Sequence, residues 1–337
     1  MSTHQSDMRP VLICGYPKSG TTLLLALLDR HPELLVFPEE GRFFKRELRT
    51  VGAPSVEAAL EHTGATALRY GEIRWGSGFR DYADIDFPTY EAFARRRWEA
   101  SDRTWKALCE TVILAYGDVT NQLPRAHWVE KTPRNELHLA EAIRWWPNLK
   151  AICVLRDPRD NYCSYRKKRT NDARSLPIEE FVAGWCRGLS AWDRFVANGG
   201  DGLLVRYCDL VESPEESMRR VCAFLSIGWD DALLQPTRNG IPWSGNSMTG
   251  ERFDGISATM VGRYRSELAP SVVREIEHWL ARIVAGYGWT FDHSASLPRL
   301  AMGSILARPS VVRARLRALR EVRRTLTVQR TTTGRPR

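Results

Sequence analysis

The chain has no uninterrupted apolar run near the ~20 residues that a membrane-spanning helix needs, and so predicts no such span. It has no C-x-x-C pair. Its 7 cysteines are odd in number and scattered, which argues against a disulfide framework or structural zinc and for free thiols in a reducing compartment. Its polar start, "MSTHQSDMRP", runs straight into an apolar stretch and leaves no room for a secretory signal. It has no internal repeat and no long linker. These absences predict a cytoplasmic protein of 337 residues, large enough for one α/β domain with its own core.

The formal charge of +9 has a single location. Residues 308 to 337 hold ten arginines, no lysine and one acid, Glu321, which accounts for all of it. The body is formally neutral, so the high isoelectric point does not argue for nucleic acid, and no specific nucleic-acid partner is expected. Within the tail, Val312, Leu316, Leu319 and Leu326 recur at near-helical spacing between arginines. Two readings stay open: a helix packed on the domain by this stripe, or contact with an anionic membrane surface or polyanion.

Apolar runs alternate with helical patterns along the rest of the chain. "RPVLICG", "ELLVF", "AHWVEK", "LKAICVLR" and "GLLVRY" read as strands, each followed by a helical segment. In the first of these segments Leu23, Leu24, Leu27 and Leu28 share a face. Thr132 and Pro133 read as the start of another helix, and residues 70 to 88 read as a long loop. The alternation predicts a parallel sheet covered by helices on both faces. The expected layout is a disordered segment 1–8, a domain over 9–300, and a basic amphipathic helix with a disordered end over 301–337. Ligands of such sheets bind beyond the carboxyl ends of the strands, so the residues just after each strand carry the functional reading.

The first strand is followed by Gly15-Tyr-Pro-Lys18-Ser19-Gly20-Thr21-Thr22. A glycine-bearing loop at a helix start is an anion site, through backbone N–H groups and the helix dipole. A triphosphate-binding loop needs lysine directly after its second glycine. Here Thr21 holds that place and the lysine stands back at Lys18. Arg156 ends the fourth strand, Ser164 follows about two helical turns later, and Lys168 one turn beyond; together they suit the edge of a second phosphate. "FPEEGRFFKR" sets Glu39 and Glu40 after the second strand, and Lys131 ends the third. A carboxylate beside such a cleft is a candidate general base.

Taken together, these motifs resemble sulfotransferases that use 3′-phosphoadenosine 5′-phosphosulfate (PAPS). "PKSGTT" is similar to that family's 5′-phosphosulfate loop, and Arg156 with Ser164 to its 3′-phosphate motif. Tyr207 in "VRYCDL" matches its pattern after the next strand, and "GNSMTGERFDGISATMVGRYRSEL", with Ser247 and Arg263, resembles its late loop. The resemblance covers roughly residues 9 to 290. It implies a P-loop-like three-layer α/β fold, PAPS as co-substrate and no metal. It further implies a donor site of Lys18, Ser19, Gly20, Thr21, Thr22, Arg156, Ser164, Lys168, Tyr207, Ser247 and Arg263. Glu40-Gly-Arg-Phe43-Phe44 resembles the glutamate-base pattern of glycan-modifying members. Glu40 is then the base in preference to Glu39 or His31, Lys18 stabilises the leaving oxygen and Lys131 neutralises charge near the sulfuryl group. The implied acceptor is a glycan or lipid-glycan hydroxyl first and a small phenol or alcohol second; the 70–88 loop with Trp75 and the helix beginning near Trp105 and Lys106 are the acceptor-side candidates. The competing enzyme reading is a P-loop kinase or NTPase with Asp157 as its magnesium ligand. The competing non-enzyme reading is a polyanion- or membrane-binding protein acting through its tail.

Overall fold

The computed structural model describes residues 8–49, 52–75, 78–170, 176–245, 251–291 and 309–332. The chain opens with β1 (Arg9–Cys14), α1 (Thr21–Leu28), β2 (Leu34–Val36), α2 (Arg46–Arg49), α3 (Val56–His62) and α4 (Ala65–Leu68). There follow β3 (Glu72–Trp75), β4 (Gly78–Asp81), α5 (Phe87–Glu99), α6 (Trp105–Val119), β5 (His127–Lys131), α7 (Leu139–Trp145), β6 (Lys150–Leu155) and α8 (Pro158–Thr170). The remainder is α9 (Ile178–Ala197), β7 (Asp201–Arg206), α10 (Tyr207–Glu212), α11 (Pro214–Leu225), β8 (Thr237–Arg238), β9 (Ile241–Pro242), α12 (Tyr264–Glu267), α13 (Pro270–Val284) and α14 (Pro309–Thr332).

The five strands expected from sequence form one sheet in the order β2-β5-β1-β6-β7, with every pair parallel. The central residues of β1, β2, β5 and β6 are buried on both sides, as continuous apolar runs require, and the edge strand β7 is half-buried. Successive residues alternate between faces. Val11, Ile13, Val129, Ile152 and Val154 join the core under α1, α10 and α11. Leu12, Cys14, Trp128, Ala151 and Cys153 join the core under α5, α6 and α7. Helix α1 is buried all round, from Leu23 to Leu28, beyond the one-sided face expected from its spacing. A helix apolar on every side is one seated inside the molecule.

Residues 70–88 depart from the expected loop. β3 and β4 form an antiparallel hairpin, with Glu72 opposite Asp81 and Trp75 opposite Gly78. Of the glycines that suggested a loop, Gly71 stands just before β3 and Gly78 opens β4. The expected helix start at Thr132 is also displaced: α7 begins at Leu139 after a single 3-10 turn, Asn135–Leu137. Arg134 sits at φ 74, a left-handed conformation that interrupts a helix begun at Pro133.

The basic helix α14 packs into the domain along α9 and α13. The seated face lies partly round from the stripe read in the sequence. Ala318, Val322, Thr325 and Gln329 are buried, whereas Leu316 is 49% exposed; Leu319 and Leu326 pack at the edge. Small side chains at the contact let the helices approach closely. The polar members of the seam are satisfied: the Thr325 hydroxyl donates to Cys186 O at 3.1 Å and Gln329 Nε2 to Ile283 O at 3.3 Å. Arg315 pairs with Glu179 of α9 at 2.9 Å. Val322→Asp buries an unpaired charge and is expected to cost about 3 kcal/mol of unfolding free energy, read by urea denaturation. Leu316→Asp is expected to stay within about 0.5 kcal/mol of the parent; equal losses from the two changes would refute this seating.

Candidate functional site

The parallel sheet brings five strand ends to one edge of the molecule. Beyond β1 lies the 15–22 loop, beyond β2 Glu40, at the end of β5 Lys131, beyond β6 Arg156 and beyond β7 Tyr207. The strand order sets the glutamate and lysine on one side of the β1 loop and the arginine and tyrosine on the other. A cavity of about 190 Å³ opens here. Its wall contains Lys18, Gly20, Thr21, Thr22, Glu40, Arg156, Ser164, Tyr207 and Arg263 from the sequence reading, joined by Pro133, Lys167, Trp243, Phe253, Ser257 and Met260.

The loop is held from below by the segment after β5. The Gly15 N–H donates to Glu136 Oε2 at 2.9 Å, and the Arg134 N–H donates back to Gly15 O at 3.0 Å. Burial raises the Glu136 carboxyl above its ordinary range. Two glycines of α9 make room for this pair: a Cβ at Gly184 would meet Arg134 at 2.6 Å, and one at Gly188 would meet Glu136 at 2.6 Å. At the crown, Lys18 adopts φ 68 and Gly20 φ 105. Gly20 has no alternative, because a Cβ there would lie 2.5 Å from the Tyr207 ring. Helix α1 starts at Thr21 without a side-chain cap, so its first N–H groups have no intrahelical acceptor and point beyond the helix start. Ser19 is the exception among the loop residues. It is 1% exposed, with its hydroxyl turned under the loop toward Gly15.

On the β6 side, Arg156 donates to Lys18 O at 3.1 Å and to Met260 O at 2.7 Å, and its guanidinium lies 4.5 Å from the Tyr207 ring centre. Asn161 donates to Pro17 O at 2.8 Å. Asp160 accepts the Gly262 N–H at 2.7 Å and the Tyr264 N–H at 2.9 Å, and burial raises its carboxyl. Helix α8 thus fastens both the phosphate loop and the late segment. Arg263 pairs with Glu251 at 2.7 Å and with Glu267. The lysine of α8 in the cavity wall is Lys167, paired with Glu267 at 2.5 Å. Of Lys168 only the backbone is described, and Ser247 lies outside the described residues.

On the β5 side, Lys131 is 2% exposed and its Nζ donates to Glu40 Oε1 at 3.0 Å. Arg42 Nε stands 3.5 Å from the other carboxylate oxygen. The backbone of this loop is gripped by the residue before Lys131. Glu130 Oε1 accepts the Gly41 N–H at 2.8 Å and the Thr132 hydroxyl at 2.5 Å, and Glu130 Oε2 accepts from Asn135 at 2.7 Å. The Arg42 N–H donates to Thr132 Oγ1 at 3.0 Å, so Thr132, read as a helix cap, belongs to this clamp. Phe43 and Phe44 anchor the loop in the core.

The rival candidates have other partners. Glu39 is 5% exposed, accepts from the Tyr82 hydroxyl at 2.5 Å and lies 3.7 Å from Arg238. His31 is 3% exposed, with Nε2 3.0 Å from Gly228 O and Nδ1 accepting the Glu33 N–H. Asp157 is held by Arg159 at 2.7 Å, itself paired with Glu277 at 2.6 Å. Trp105 packs against Arg49, Lys106 stands 3.8 Å from Glu110, and neither enters the cavity wall. The Trp75 side chain lies outside the described residues.

The sequence reading missed Glu130, Asn135, Glu136, Asp160, Asn161 and Lys167. The first had a signal, an acid inside a strand otherwise suited to full burial. The cavity chemistry fits an anion carrying an aromatic group. Among the described residues its wall holds Lys18, Arg156, Lys167 and Arg263 against one acid, Glu40, beside the N–H groups of α1. Trp243, Phe253 and Met260 add an apolar flank, and Arg156 Nε is buried without a protein partner.

Comparison with known proteins agrees with this arrangement. The sequence model of the sulfotransferase family matches residues 10–231. Protein-tyrosine sulfotransferase 1 of Danio rerio is 25% identical over 284 residues, spanning 83% of this chain and 68% of its own length. Protein-tyrosine sulfotransferase 2 of Gallus gallus is 26% identical over 241 residues, spanning 68% of this chain and 54% of its own. The chain thus spans between about half and two thirds of these curated relatives. In fold it is similar to the sulfotransferase domain of the Synechococcus PCC 7002 olefin synthase, with a TM-score of 0.54 at 18% identity over 86% of this chain and 98% of that domain. With the family's pattern extending from β1 past α11, and the phosphate loop, Arg156 and Tyr207 all inside it, this chain belongs to the sulfotransferase family.

Proposed function

We propose that the chain transfers a sulfuryl group from PAPS to a phenolic hydroxyl, with Glu40 as the general base. The observation that carries this reading is the division of the strand edge by the β1 loop. Donors for a phosphorylated nucleotide gather on the β6–β7 side, and a single carboxylate paired with a buried lysine stands on the β5–β2 side. Lys18 and the N–H groups at the start of α1 hold the 5′-phosphate end. Arg156, Ser164 and Arg263 hold the 3′-phosphate end, and Trp243 and Phe253 flank the base. When bound, the donor supplies an activated sulfuryl group, whose transfer places growing charge on the oxygen it leaves. Lys18 and the loop N–H groups stand ready for that charge, an electrostatic role that needs no rearrangement. Glu40 accepts the proton of the incoming hydroxyl, and Lys131 keeps the carboxylate aimed and balances local charge.

The names of the relatives, protein-tyrosine sulfotransferases, support a tyrosine-like acceptor in place of the glycan hydroxyl suggested by the Glu40 motif. Chemistry supports the same choice. A phenol loses its proton near pH 10, so a carboxylate base takes it more readily than the proton of a sugar alcohol.

Glu40→Gln is expected to lower kcat about 100-fold or more while the affinity for adenosine 3′,5′-bisphosphate stays within about twofold. Undiminished transfer would remove Glu40 as base, whereas no nucleotide binding by the parent protein would remove the donor. Tyrosine peptides and oligosaccharides offered side by side, with mass spectrometry for one added sulfuryl group, decide the acceptor. Glu130→Ala frees the Gly41 backbone and is expected to cut kcat by about 100-fold through misplacement of Glu40, again with nucleotide affinity retained; Glu130→Gln, which keeps one acceptor oxygen, should fall between. Gly20→Ala forces a side chain into a left-handed position against Tyr207. It is expected to weaken adenosine 3′,5′-bisphosphate binding about tenfold or more, measured by calorimetry.

A further inference from the structure

The exposed face of α14 has no part in the site described above. Arg313, Arg317, Arg320 and Arg324 are exposed and follow one another at i, i+4, i+7 and i+11, which places them in one stripe along the helix. Arg323 and Arg330 are exposed beside them. Glu321, the acid of this segment, is half-buried on the flank, one turn from Arg317 and Arg324, and is one carboxylate beside four guanidinium groups. The rest of the chain is formally neutral, and the stripe is therefore no by-product of a generally basic surface. Arg194 of α9 has its ionisation lowered first by burial and then by the nearby charge of Arg324, while Glu321 and Asp193 act in the opposite sense.

Leu316 stands 49% exposed between these arginines. It is one of few large apolar side chains that the described residues leave so open, and its neighbours at positions 313, 317 and 320 are all guanidinium groups. We propose that this face of α14 docks on an anionic lipid surface, with the arginines on headgroup phosphates and Leu316 at the boundary with the acyl chains. A basic helix face with an apolar side chain at its centre matches the two parts of that boundary. A sulfated glycan or a nucleic acid would satisfy the arginines alone and leave Leu316 without a partner. The opposite face of α14 is seated on α9 and α13, so docking needs no refolding: the helix lies on the bilayer with the domain attached behind it.

The test uses the full chain and sedimentation with vesicles of phosphatidylcholine alone or mixed with phosphatidylserine. The parent protein is expected to bind the mixed vesicles at least about tenfold more tightly, with the difference lost at high salt. The variant carrying Arg313→Glu, Arg317→Glu, Arg320→Glu and Arg324→Glu should lose about tenfold or more of that binding, and Leu316→Asp about fivefold. Both variants should keep the parent's affinity for adenosine 3′,5′-bisphosphate, which reports an intact fold. Equal binding to both kinds of vesicle, no loss in the fourfold variant, or full binding by Leu316→Asp would each overturn the proposal. Binding to heparin without binding to vesicles would overturn it in favour of a polyanionic partner.

Discussion

The β6–β7 side of the site depends on one guanidinium. Arg156 leaves the end of β6, donates to the carbonyl of Lys18 in the phosphate loop and to the carbonyl of Met260 in the late segment, and lies over the Tyr207 ring. That ring closes the space beside Gly20. The crown of the loop, the end of β6, the start of α10 and the 260s are thus joined at one planar, permanently charged group with a rigid fork of donors, a task for which lysine offers no equivalent. Asp160 and Asn161, one turn along α8, repeat the link from a second point. Two fastenings on a single helix fix an orientation as well as a position, which in-line transfer requires.

The β5–β2 side of the site is built by a different device. Adjacent residues of a strand project to opposite sides, and β5 uses this to hold one loop at two places. Lys131 takes the carboxylate of Glu40, while Glu130 takes the backbone N–H of the next residue, Gly41. The buried Glu130 has Thr132 and Asn135 to satisfy its remaining lone pairs, as a carboxylate at 1% exposure must. Glu39, one residue before Glu40, is turned away to Tyr82 and Arg238. A change of one residue in this loop would exchange the carboxylate facing the cavity for the one facing the core.

What the sequence made legible follows the physics of each feature. The strands of the main sheet were readable because burial on both faces demands apolar runs, and the parallel order then followed from alternation with helices. Lys18, Glu40, Lys131, Arg156 and Tyr207 were readable because they stand just past strand ends. The β3–β4 hairpin was not, since its glycines and aromatics carry no clear period of two. Thr132 looked like a helix cap because local chemistry was all that could be weighed; the Glu130 carboxylate that claims its hydroxyl comes from a tertiary fold. The seam of α14 was readable only in part, for a related reason. Leucines stand out in a list of residues, but Leu319 and Leu326 only edge the seam, whose buried centre is Ala318, Val322, Thr325 and Gln329.

The displacement of the loop lysine finds its reason in the backbone. A lysine placed after the second glycine would lie in the first turn of α1. Lys18 instead sits at the crown, at φ 68, where its carbonyl is taken by Arg156 and where it joins Glu40 in the cavity wall. The same backbone strain that a non-glycine residue carries in this conformation is held in place by Arg156 and by Asn161 on the preceding carbonyl. In the proposed reaction, a cation at the crown serves the bond between the leaving oxygen and the transferring group. A cation in the helix would face along a chain of phosphates. The loop therefore keeps the helix-start anion cradle common to nucleotide sites with its lysine at the crown instead of in the helix, and the constraint that holds it there lies in Arg156 and α8 as much as in the loop itself.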